Sequence, residues 1–472
     1  MKQLKKLTLI ALAVAMVFAA AIIVLIANPV EKARTILILS DREPTDVVSV
    51  KVANASGEYE VRYDTAEGGY VFDDLPIEQV DISNFIDFMT RCGSITAIRK
   101  VGPDTGNYGL NEPQAVADII YSDGGSLKLT IGDQEPVSKN CYIMIDGDKN
   151  VYMYPGDYAQ YFLRKKTDFL NRTVTAKAAM SSPLSEIVDV TFSGKAFDYP
   201  ISIEAVNSSE RAQIDALSFG AVTHIVRTRG IHQLDQTYGI EILGSLLGVP
   251  AVDVEGYNLD ADMLMKIGFD DPDIAAVFDR IKVDGTVENV QLLLVKNGEQ
   301  EGYLATVNGT GTVYRISEPA FADIQVEKLL LRWFLTPMIQ DLREIIVDDG
   351  INKVDFEIMN HGDNRISVTL DGKDYDIETF RHFFNLLTSA TSAEGTYLEN
   401  TNAGDEALLT VTYKYGNPKK TDDVMKLYDG SLRRHNVAVN DVIEFDMAEG
   451  YLAAVQNALS AIRSGENFDI NW

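Results

Sequence analysis

The sequence predicts an α+β protein in which one N-terminal transmembrane helix is followed by tandem repeated modules of antiparallel sheet with packed helices. Three observations lead to this fold class. Residues 7–27 form a long apolar segment, short stretches of alternating apolar and polar residues recur through the rest of the chain, and a six-residue motif occurs twice. Alternation with a period of two is typical of half-buried strands, and a repeated motif indicates repeated structural units.

The apolar segment from Leu7 to Ala27 contains no charged residue, and Thr8 is its one polar residue. A helix of this length rises about 30 Å, which matches the hydrocarbon core of a bilayer. Three lysines within residues 2–6 favour a cytoplasmic N-terminus. A cleaved signal peptide is the alternative, although signal peptides have shorter apolar regions. We expect a single-pass anchor in the cell membrane, with the bulk of the chain extracytoplasmic.

The repeated motif begins an ordered series of similarities. Residues 108–113 read Tyr-Gly-Leu-Asn-Glu-Pro, and residues 267–272 read Ile-Gly-Phe-Asp-Asp-Pro. Each copy is followed by an alternating strand, an Asp-Gly turn and a Val-Tyr pair. The glycines, Gly109 and Gly268, are predicted to adopt positive φ, and Pro113 and Pro272 to precede new strands. The series predicts tandem modules of the same topology, and its turn residues imply no chemistry.

The first predicted module combines a hairpin, a helix and further strands. Apolar and polar residues alternate in 48–52 and in 59–63, on either side of a turn, which predicts a hairpin. A helix follows, with an apolar stripe at Ile82, Phe85, Ile86, Met89 and Cys92. Further strands are predicted at 115–121, 127–131, 141–145 and 151–154.

The last predicted module repeats this order. Strands at 354–358 and 366–370 precede a helix whose apolar stripe contains Ile377, Phe380, Phe384 and Leu387. The remaining predicted elements are strands at 408–415, 424–428, 432–439 and 442–445, and a closing helix at 451–462. The middle module contains about 20 additional residues, within 208–248, including a predicted helix near Ile240.

The predicted organisation has four parts. They are a cytoplasmic stub and transmembrane anchor at 1–35, and three α+β modules at 36–180, 181–345 and 346–472. The composition, 46% hydrophobic and 24% charged, is that of a globular protein. We therefore expect each module to have its own hydrophobic core.

Charge and cysteine content restrict the partners and the compartment. A formal net charge of -28 repels phosphate backbones, so nucleic acid is not an expected partner. The chain contains two cysteines, Cys92 and Cys141. A disulfide between them is permitted outside the cytoplasm, and two separately buried thiols are the alternative.

Few residues offer catalytic or metal-binding chemistry. Asp146, Asp148, Asn150 and Asp157 follow one another as oxygen ligands would in a calcium loop, but the required central glycine is replaced by Val151, which favours a hairpin loop. The five histidines do not have zinc-site spacing; they are His224, His232, His361, His382 and His435. No nucleophile elbow or phosphate-binding loop occurs in the sequence. We therefore predict no catalytic, cofactor-binding or metal-binding residue, and no cofactor.

With the apolar N-terminal segment, the valine-rich hairpin, the Tyr-Gly-Leu-Asn-Glu-Pro turn and Ile131-Gly132-Asp133, the chain resembles the bacterial family of the domain of unknown function 4340 (DUF4340). The resemblance is clearest over residues 44–180 and looser over 186–345. It implies an anchored, extracytoplasmic, repeated α+β protein, distantly similar to the soluble parts of auxiliary proteins of gliding-motility-type ABC transporters. No catalytic residue comes with this resemblance, and the chain has no ATP-binding motif.

We expect a non-enzymatic, membrane-anchored accessory or scaffold protein that binds another membrane protein, such as an ABC transporter permease. Binding of a cell-wall glycan or peptide is the alternative, for which Tyr152, Tyr154, Tyr158 and Tyr161 would supply a stacking surface unless they serve packing. An extracellular hydrolase is a third hypothesis and rests on the abundance of carboxylates.

Overall fold

The structure is a computed structural model, and it describes most of the chain after residue 35. The described residues are 36–66, 68–207, 222–228, 231–298, 301–363, 365–393, 398 and 406–472. The chain divides after Asn171 into two compact units, unit 1 (residues 1–171) and unit 2 (residues 172–472). The finer module boundaries expected at residues 180 and 345 stay predictions.

Strands dominate the described residues, so the expected α+β fold class is wrong. This part of the chain is mostly β-sheet, with 27 strands in four sheets and eight α-helices. The α-helices of the described residues contribute less of the ordered backbone than the strands do, because they are few and each has 4 to 15 residues. Within the described ranges, no helix is long and apolar enough to cross a membrane. The transmembrane helix expected at residues 7–27 lies outside these ranges.

Unit 1 contains a two-stranded sheet and the first large sheet, of eight strands. Its strands are β1 (Leu37–Asp41), β2 (Val47–Asn54), β3 (Gly57–Asp64), β4 (Gly69–Phe72), β5 (Ser94–Ala97), β6 (Arg99–Pro103), β7 (Ala115–Tyr121), β8 (Ser126–Gln134), β9 (Cys141–Ile145) and β10 (Asn150–Tyr154). Its helices are α1 (Ile82–Gly93) and α2 (Gly156–Leu163). The large sheet has the order β4-β3-β2-β7-β8-β9-β10-β6, and β1 pairs with β5.

Unit 2 begins with the second large sheet, of nine strands. Its strands are β11 (Ile187–Ser193), β12 (Ile201–Ala205), β13 (His224–Val226), β14 (His232–Gln233), β15 (Asp253–Gly256), β16 (Ile274–Ile281), β17 (Val287–Lys296), β18 (Tyr303–Val307) and β19 (Val313–Ile316). Its helices are α3 (Pro183–Glu186), α4 (Gln236–Gly244), α5 (Ala261–Ile267) and α6 (Val326–Leu329). The strand order is β14-β13-β12-β11-β16-β17-β18-β19-β15. Of the additional segment expected at 208–248, residues 208–221 lie outside the described residues.

The third large sheet, of eight strands, completes unit 2. Its strands are β20 (Leu342–Asp348), β21 (Lys353–Asn360), β22 (Ile366–Leu370), β23 (Lys373–Asp374), β24 (Leu409–Tyr415), β25 (Asp423–Asp429), β26 (Arg434–Val439) and β27 (Val442–Ala448). Its helices are α7 (Ile377–Thr388) and α8 (Gly450–Ser464). The strand order is β23-β22-β21-β20-β24-β25-β26-β27. Short 3-10 helices lie at Pro44–Asp46, Ile77–Gln79, Lys166–Phe169, Ala320–Asp323 and Ile339–Asp341.

The three large sheets share a central strand arrangement. In each, the first strand of one meander lies beside the first strand of a second, four-stranded meander, as β2 lies beside β7, β11 beside β16 and β20 beside β24. The first of the two meanders has three strands in the first large sheet and four strands in the other two. A helix (α1, α4 or α7) lies between the two meanders in sequence. The repeated motif falls at equivalent places, because Pro113 shortly precedes β7 and Pro272 shortly precedes β16. The sequence similarity therefore marks equivalent turns.

The segment that leads into each large sheet also recurs. It pairs with the segment that follows the helix, as β1 pairs with β5, Thr173 with Pro250, and Trp333 with Thr391. In unit 2, Leu331 N donates to Gln233 O of β14, and Phe334 N donates to Ala390 O just after α7. Residues 331–334 are therefore bonded both to the edge of the second large sheet and to the segment that follows α7.

An aspartate begins each of these three helices. The carboxylates of Asp81, Asp235 and Asp376 accept hydrogen bonds from backbone N–H groups in the first turn of α1, α4 and α7. These N–H groups have no partner within the helix, so a side-chain acceptor stabilises the helix start. The predicted helices at 82–92 and 377–387 are therefore confirmed, and α1 and α7 begin at the predicted residues, Ile82 and Ile377.

The buried face of α1 differs from the prediction. Phe88, Met89 and Cys92 are buried, whereas Ile82 and Ile86 are 69% and 55% exposed. Aromatic packing selects this face, because Phe88 contacts Phe169, with ring centroids 5.2 Å apart. Phe169 is fully buried and also contacts the rings of Tyr59 and Phe72. This cluster is the aromatic core of unit 1.

The two cysteines are separately buried free thiols. Cys92 lies in α1, and Cys141 begins β9. Burial raises the pKa of both thiols, so the reactive thiolate form is disfavoured. The structure therefore corresponds to the second of the two alternatives for these residues.

The glycines of the first motif allow a close backbone approach. Gly109 has a φ of 70°, and a Cβ atom on Gly132 would lie 2.1 Å from the carbonyl oxygen of Tyr108. The N–H of Asp133 donates to that same carbonyl at 2.8 Å. Gly268 also has positive φ, 106°, and ends α5. These glycines are structural, as the sequence predicted.

A buried ion pair joins α3 to the second large sheet. Nη2 of Arg280, on β16, is 2.8 Å from Oε1 of Glu186, and their side chains are 5% and 0% exposed. This contact is electrostatic and not a well-aligned hydrogen bond. Glu186 Oε2 accepts from the N–H groups of Ala179 and Met180, and Arg280 Nη1 donates to the carbonyl of Ala176. The pair therefore holds the segment that leads into the sheet.

Candidate functional site

A half-open cavity of about 720 Å³ is the candidate functional site. It lies within unit 2 and is lined by residues 231–233, by residues 331–334, by Ser392, and by residues of the stretch 417–445. A volume of this size falls within the usual range of about 300–1,000 Å³ for ligand sites. We refer to it as the unit 2 cavity.

Apolar side chains occupy one part of the unit 2 cavity. Ile231, Trp333 and Val442 line it and are 59%, 47% and 56% exposed. Val442 begins β27 directly after Asn440 and Asp441, both of which have positive φ. Such two-residue turns favour Asn and Asp, and this turn sets where β27 starts. The result is a concave surface with accessible apolar groups.

A histidine and a glutamate lie side by side in the cavity. Nε2 of His232 is 3.4 Å from Oε1 of Glu444, with side-chain exposures of 12% and 21%. The His232 ring contacts the Phe445 ring edge-on, with centroids 5.8 Å apart. The short strand β14 positions His232 through its pairing with Val226 of β13.

Gln233 lines the cavity next to His232 and is 8% exposed. Its side-chain Oε1 is buried and has no hydrogen-bond partner among the described residues. A buried acceptor without a donor costs about 1–3 kcal/mol.

Basic side chains form another part of the lining. Arg332, Lys419 and Lys420 line the cavity. Lys420 Nζ lies 3.9 Å from the centre of the Tyr415 ring, and Arg332 Nη2 donates to the carbonyl of Ser392. The carboxylates of Asp423 and Glu444 line the same cavity, so its lining contains charges of both signs.

Asp423 is the second carboxylate of the lining and is 7% exposed. It accepts from the Tyr415 hydroxyl at 2.6 Å and from Asn440 Nδ2 at 2.9 Å. Burial, together with the nearby Asp423 carboxylate, raises the pKa of Tyr415. Asp423 thus supports the cavity wall through Tyr415 and Asn440.

The four tyrosines considered as a stacking surface do not form one. Tyr154 is fully buried and Tyr152 is 8% exposed. The guanidinium of Arg91 lies 3.6 Å from the centre of the Tyr158 ring, and that of Arg164 lies 4.4 Å from the centre of the Tyr161 ring. Two rings are therefore buried, and each of the other two has an arginine on one face.

The acidic stretch at 146–157 forms a hairpin and a helix start. Asp148 accepts from the Tyr152 hydroxyl and from both the backbone and the side-chain nitrogen of Asn150. These hydrogen bonds lower the pKa of Asp148. Across the described residues, no group of three or more His, Cys, Asp or Glu could hold a metal ion.

His224 is the most buried of the histidines, at 2% exposure. Its Nε2 lies 3.0 Å from the carbonyl of Ile187, to which the neutral ring donates. Nδ1 is buried and has no hydrogen-bond partner among the described residues. Burial lowers the pKa of His224, and the bond to Ile187 partly opposes this shift.

We expect His224 to make unit 2 less stable as the pH falls below about 6.5. In that window the unfolded chain binds a proton at this imidazole, whereas the folded protein resists protonation, so stability falls with pH. The measurement is denaturant unfolding of the full chain from pH 8 to pH 5. His224→Gln should reduce the loss, and His382→Gln, at an exposed site, should not. Equal pH profiles for wild type and His224→Gln would contradict this assignment.

Sequence reasoning missed the residues of the unit 2 cavity as a site. Trp333 is one of only two tryptophans in the chain, and Lys419-Lys420 is a basic pair in an acidic protein. Both features are visible in the sequence, but neither indicates that Trp333 and Lys419, about 90 positions apart, line the same cavity.

A family model described as "Domain of unknown function (DUF4340)" matches residues 73–226. No curated protein and no solved structure matches the chain. The DUF4340 resemblance is thus confirmed over those residues, whereas the similarity to gliding-motility-type auxiliary proteins is not shown. All residues that line the unit 2 cavity lie beyond the matched range.

Proposed function

Because residues 73–226 belong to the DUF4340 family, which carries no assigned activity, we propose a function from the unit 2 cavity: the chain is a non-enzymatic accessory protein that binds a partner there. The observation that carries this proposal is the exposed apolar group of Ile231, Trp333 and Val442 in a concave surface. Accessible aromatic and aliphatic side chains in concave sites commonly anchor partners.

The two carboxylates of the cavity have different surroundings. Asp423 accepts hydrogen bonds from Tyr415 and Asn440, which gives it a structural role in the cavity wall. Glu444 lies beside His232, and a histidine–carboxylate pair can serve either ligand binding or acid–base chemistry. A hydrolase remains the third hypothesis, and release of soluble fragments from isolated cell wall by the purified chain would favour it.

The proposed compartment is the cell envelope, with the bulk of the chain extracytoplasmic. The proposed compartment rests on the apolar segment at residues 7–27 and on the lysines before it. The proposed partner is another membrane protein, such as an ABC transporter permease, and that choice rests on the sequence resemblance alone. Cell-wall glycan or peptide remains the alternative partner.

Site-specific cross-linking in intact cells tests the proposed function. A photoreactive amino acid replaces Ile231 in the tagged full-length chain, and in a control it replaces Ile351, an 88% exposed residue that does not line the cavity. We expect a membrane protein, identified by mass spectrometry, to cross-link at position 231 and not at 351. Recovery of wall fragments without a membrane protein, or equal yields at both positions, would refute the proposal.

A further inference from the structure

The aspartate that precedes α1 lies between two backbone hydrogen bonds to a later segment of unit 1. Asp81 N donates to Phe169 O at 2.8 Å. Asn171 N donates to Gln79 O at 2.7 Å. Between these bonds, Leu170 lies opposite the residue that precedes Asp81, in an antiparallel bridge, and is 1% exposed. The strand before α1 is thus extended by a segment with a buried leucine at its centre.

The aspartate that precedes α4 has the same arrangement within unit 2. Asp235 N donates to Leu329 O at 2.7 Å. Leu331 N donates to Gln233 O at 2.8 Å. Leu330 lies opposite the residue that precedes Asp235 and is 3% exposed. Two helices of the chain therefore share one way of receiving an added segment.

The corresponding position at α7 has no such segment among the described residues. β23 is an edge strand of the third large sheet, as β14 is of the second, and each ends two residues before the aspartate that starts its helix. Tyr375 N donates to Val368 O at 2.9 Å, so the C=O of Asp374 and the N–H of Asp376 point away from β22. Neither group has a hydrogen-bond partner in the described ranges, and both residues are exposed, whereas their counterparts at α1 and α4 are buried or half-buried.

We infer that residues 373–376, which we call the β23 edge, bind an extended segment of a protein partner through the same two backbone hydrogen bonds. The central residue of that segment is aliphatic, because leucine holds this place at both α1 and α4. It would lie beside Tyr375, a half-buried ring whose centroid is 5.3 Å from that of Phe356. Aliphatic and aromatic side chains on neighbouring strands stabilise such pairing.

The charge at the β23 edge restricts the partner further. Residues 371–378 contain four carboxylates and one lysine, and Arg463 pairs with one of these carboxylates, that of Asp371. An uncharged or basic segment is therefore favoured, and a second copy of this chain, with a net charge of -28, is disfavoured. These residues do not line the unit 2 cavity, so the inference goes beyond the proposed function and does not depend on it.

A peptide with the sequence of residues 165–175 is the probe, because it contains Leu170 and has three basic residues and one acidic residue. Its fluorescein-labelled form is titrated with the detergent-purified full-length protein, and fluorescence anisotropy reports binding. We expect saturable binding, and binding about tenfold weaker or less for the peptide with Leu170→Asp. An anisotropy that does not saturate at about 1 mM protein, a limit that corresponds to about 4 kcal/mol, would overturn the inference.

Two variants at Asp376 determine whether the peptide binds at the β23 edge. Asp376→Pro removes the N–H donor, and the φ of Asp376, -66°, is one that proline adopts. Asp376→Ala keeps the N–H, and both variants lose the carboxylate that starts α7. We expect binding to Asp376→Pro to be about tenfold weaker and binding to Asp376→Ala to stay close to wild type. Equal affinities of the two variants would refute binding at this edge.

Backbone methylation of the peptide gives a second test on the unaltered protein. An N-methyl group at the Asn171 position removes the donor to Asp374 O and should weaken binding about tenfold. The control carries it at the Leu170 position, whose N–H points away from the edge in this register and should tolerate it. Equal losses would contradict the register.

Light scattering of the full-length chain separates a foreign segment from a second copy. An oligomer that Asp376→Pro dissociates would assign the β23 edge to a second copy and overturn the choice of partner. None of these results changes the cross-linking expected at position 231, so the two proposals fail separately.

Discussion

Replacing Arg280 with methionine is expected to lower the free energy of unfolding of unit 2 by about 3 to 5 kcal/mol. The substitution keeps the apolar stem but removes the charge that faces Glu186, whose side chain is fully buried. An unpaired buried carboxylate is costly because the interior solvates charge poorly. Hydrogen exchange followed by mass spectrometry on the full chain reports this loss in peptides of β11 and β16.

A double variant separates the buried charge from general damage. Glu186→Gln with Arg280→Met removes both charges, and the Gln side-chain oxygen can still accept from the N–H groups of Ala179 and Met180. We expect it to be less destabilised than Arg280→Met alone. Arg381→Ala, which breaks an exposed pair with Glu378, should change stability by at most about 0.5 kcal/mol. A single variant no worse than the double variant would refute the explanation.

Replacing Phe169 with alanine is expected to destabilise unit 1 by about 3 to 5 kcal/mol. Its ring is fully buried and contacts Tyr59, Phe72 and Phe88, with centroid distances of 5.9, 4.9 and 5.2 Å. The cavity left behind removes contacts from three strands or helices at once. Faster hydrogen exchange in β3, β4 and α1 of the full chain would report the effect.

Ile86→Ala is the matched control for Phe169→Ala. Ile86 is also apolar but is 55% exposed on α1, so its truncation should change stability by less than about 1 kcal/mol. If Ile86→Ala were as harmful as Phe169→Ala, the face of α1 predicted from the sequence would be correct and the aromatic packing described above would be wrong.

The alternation of apolar and polar residues predicted the strands well, because it shows which face of a strand is buried. Strands expected at 115–121, 141–145 and 366–370 are present with those same bounds. Helix faces were less predictable: Ile82 and Ile86 have helical spacing, but Phe88 takes the core position because it meets Phe169 from about 80 residues away. The predicted fold class was wrong because the helices with clear apolar stripes cover few residues, whereas strands account for most of the ordered backbone.

The candidate site could not be predicted for a related reason. Gln233, Trp333 and Lys419 belong to separate stretches, and their meeting depends on how the second and third sheets are connected. Sequence spacing carries no signal for such a meeting. What could be predicted is limited to chemistry within one stretch, such as the hairpin at Asp148 or the turn at Gly109, and there the structure agrees.

The paired segment at residues 331–334 of unit 2 has a mechanical consequence. Leu331 N donates to Gln233 O of β14, and Phe334 N donates to Ala390 O in the segment after α7. A tensile force along residues 331–334 therefore loads those two hydrogen bonds. Trp333 lies between them, so a molecule held against its ring would touch the point where the load passes from β14 to the segment after α7.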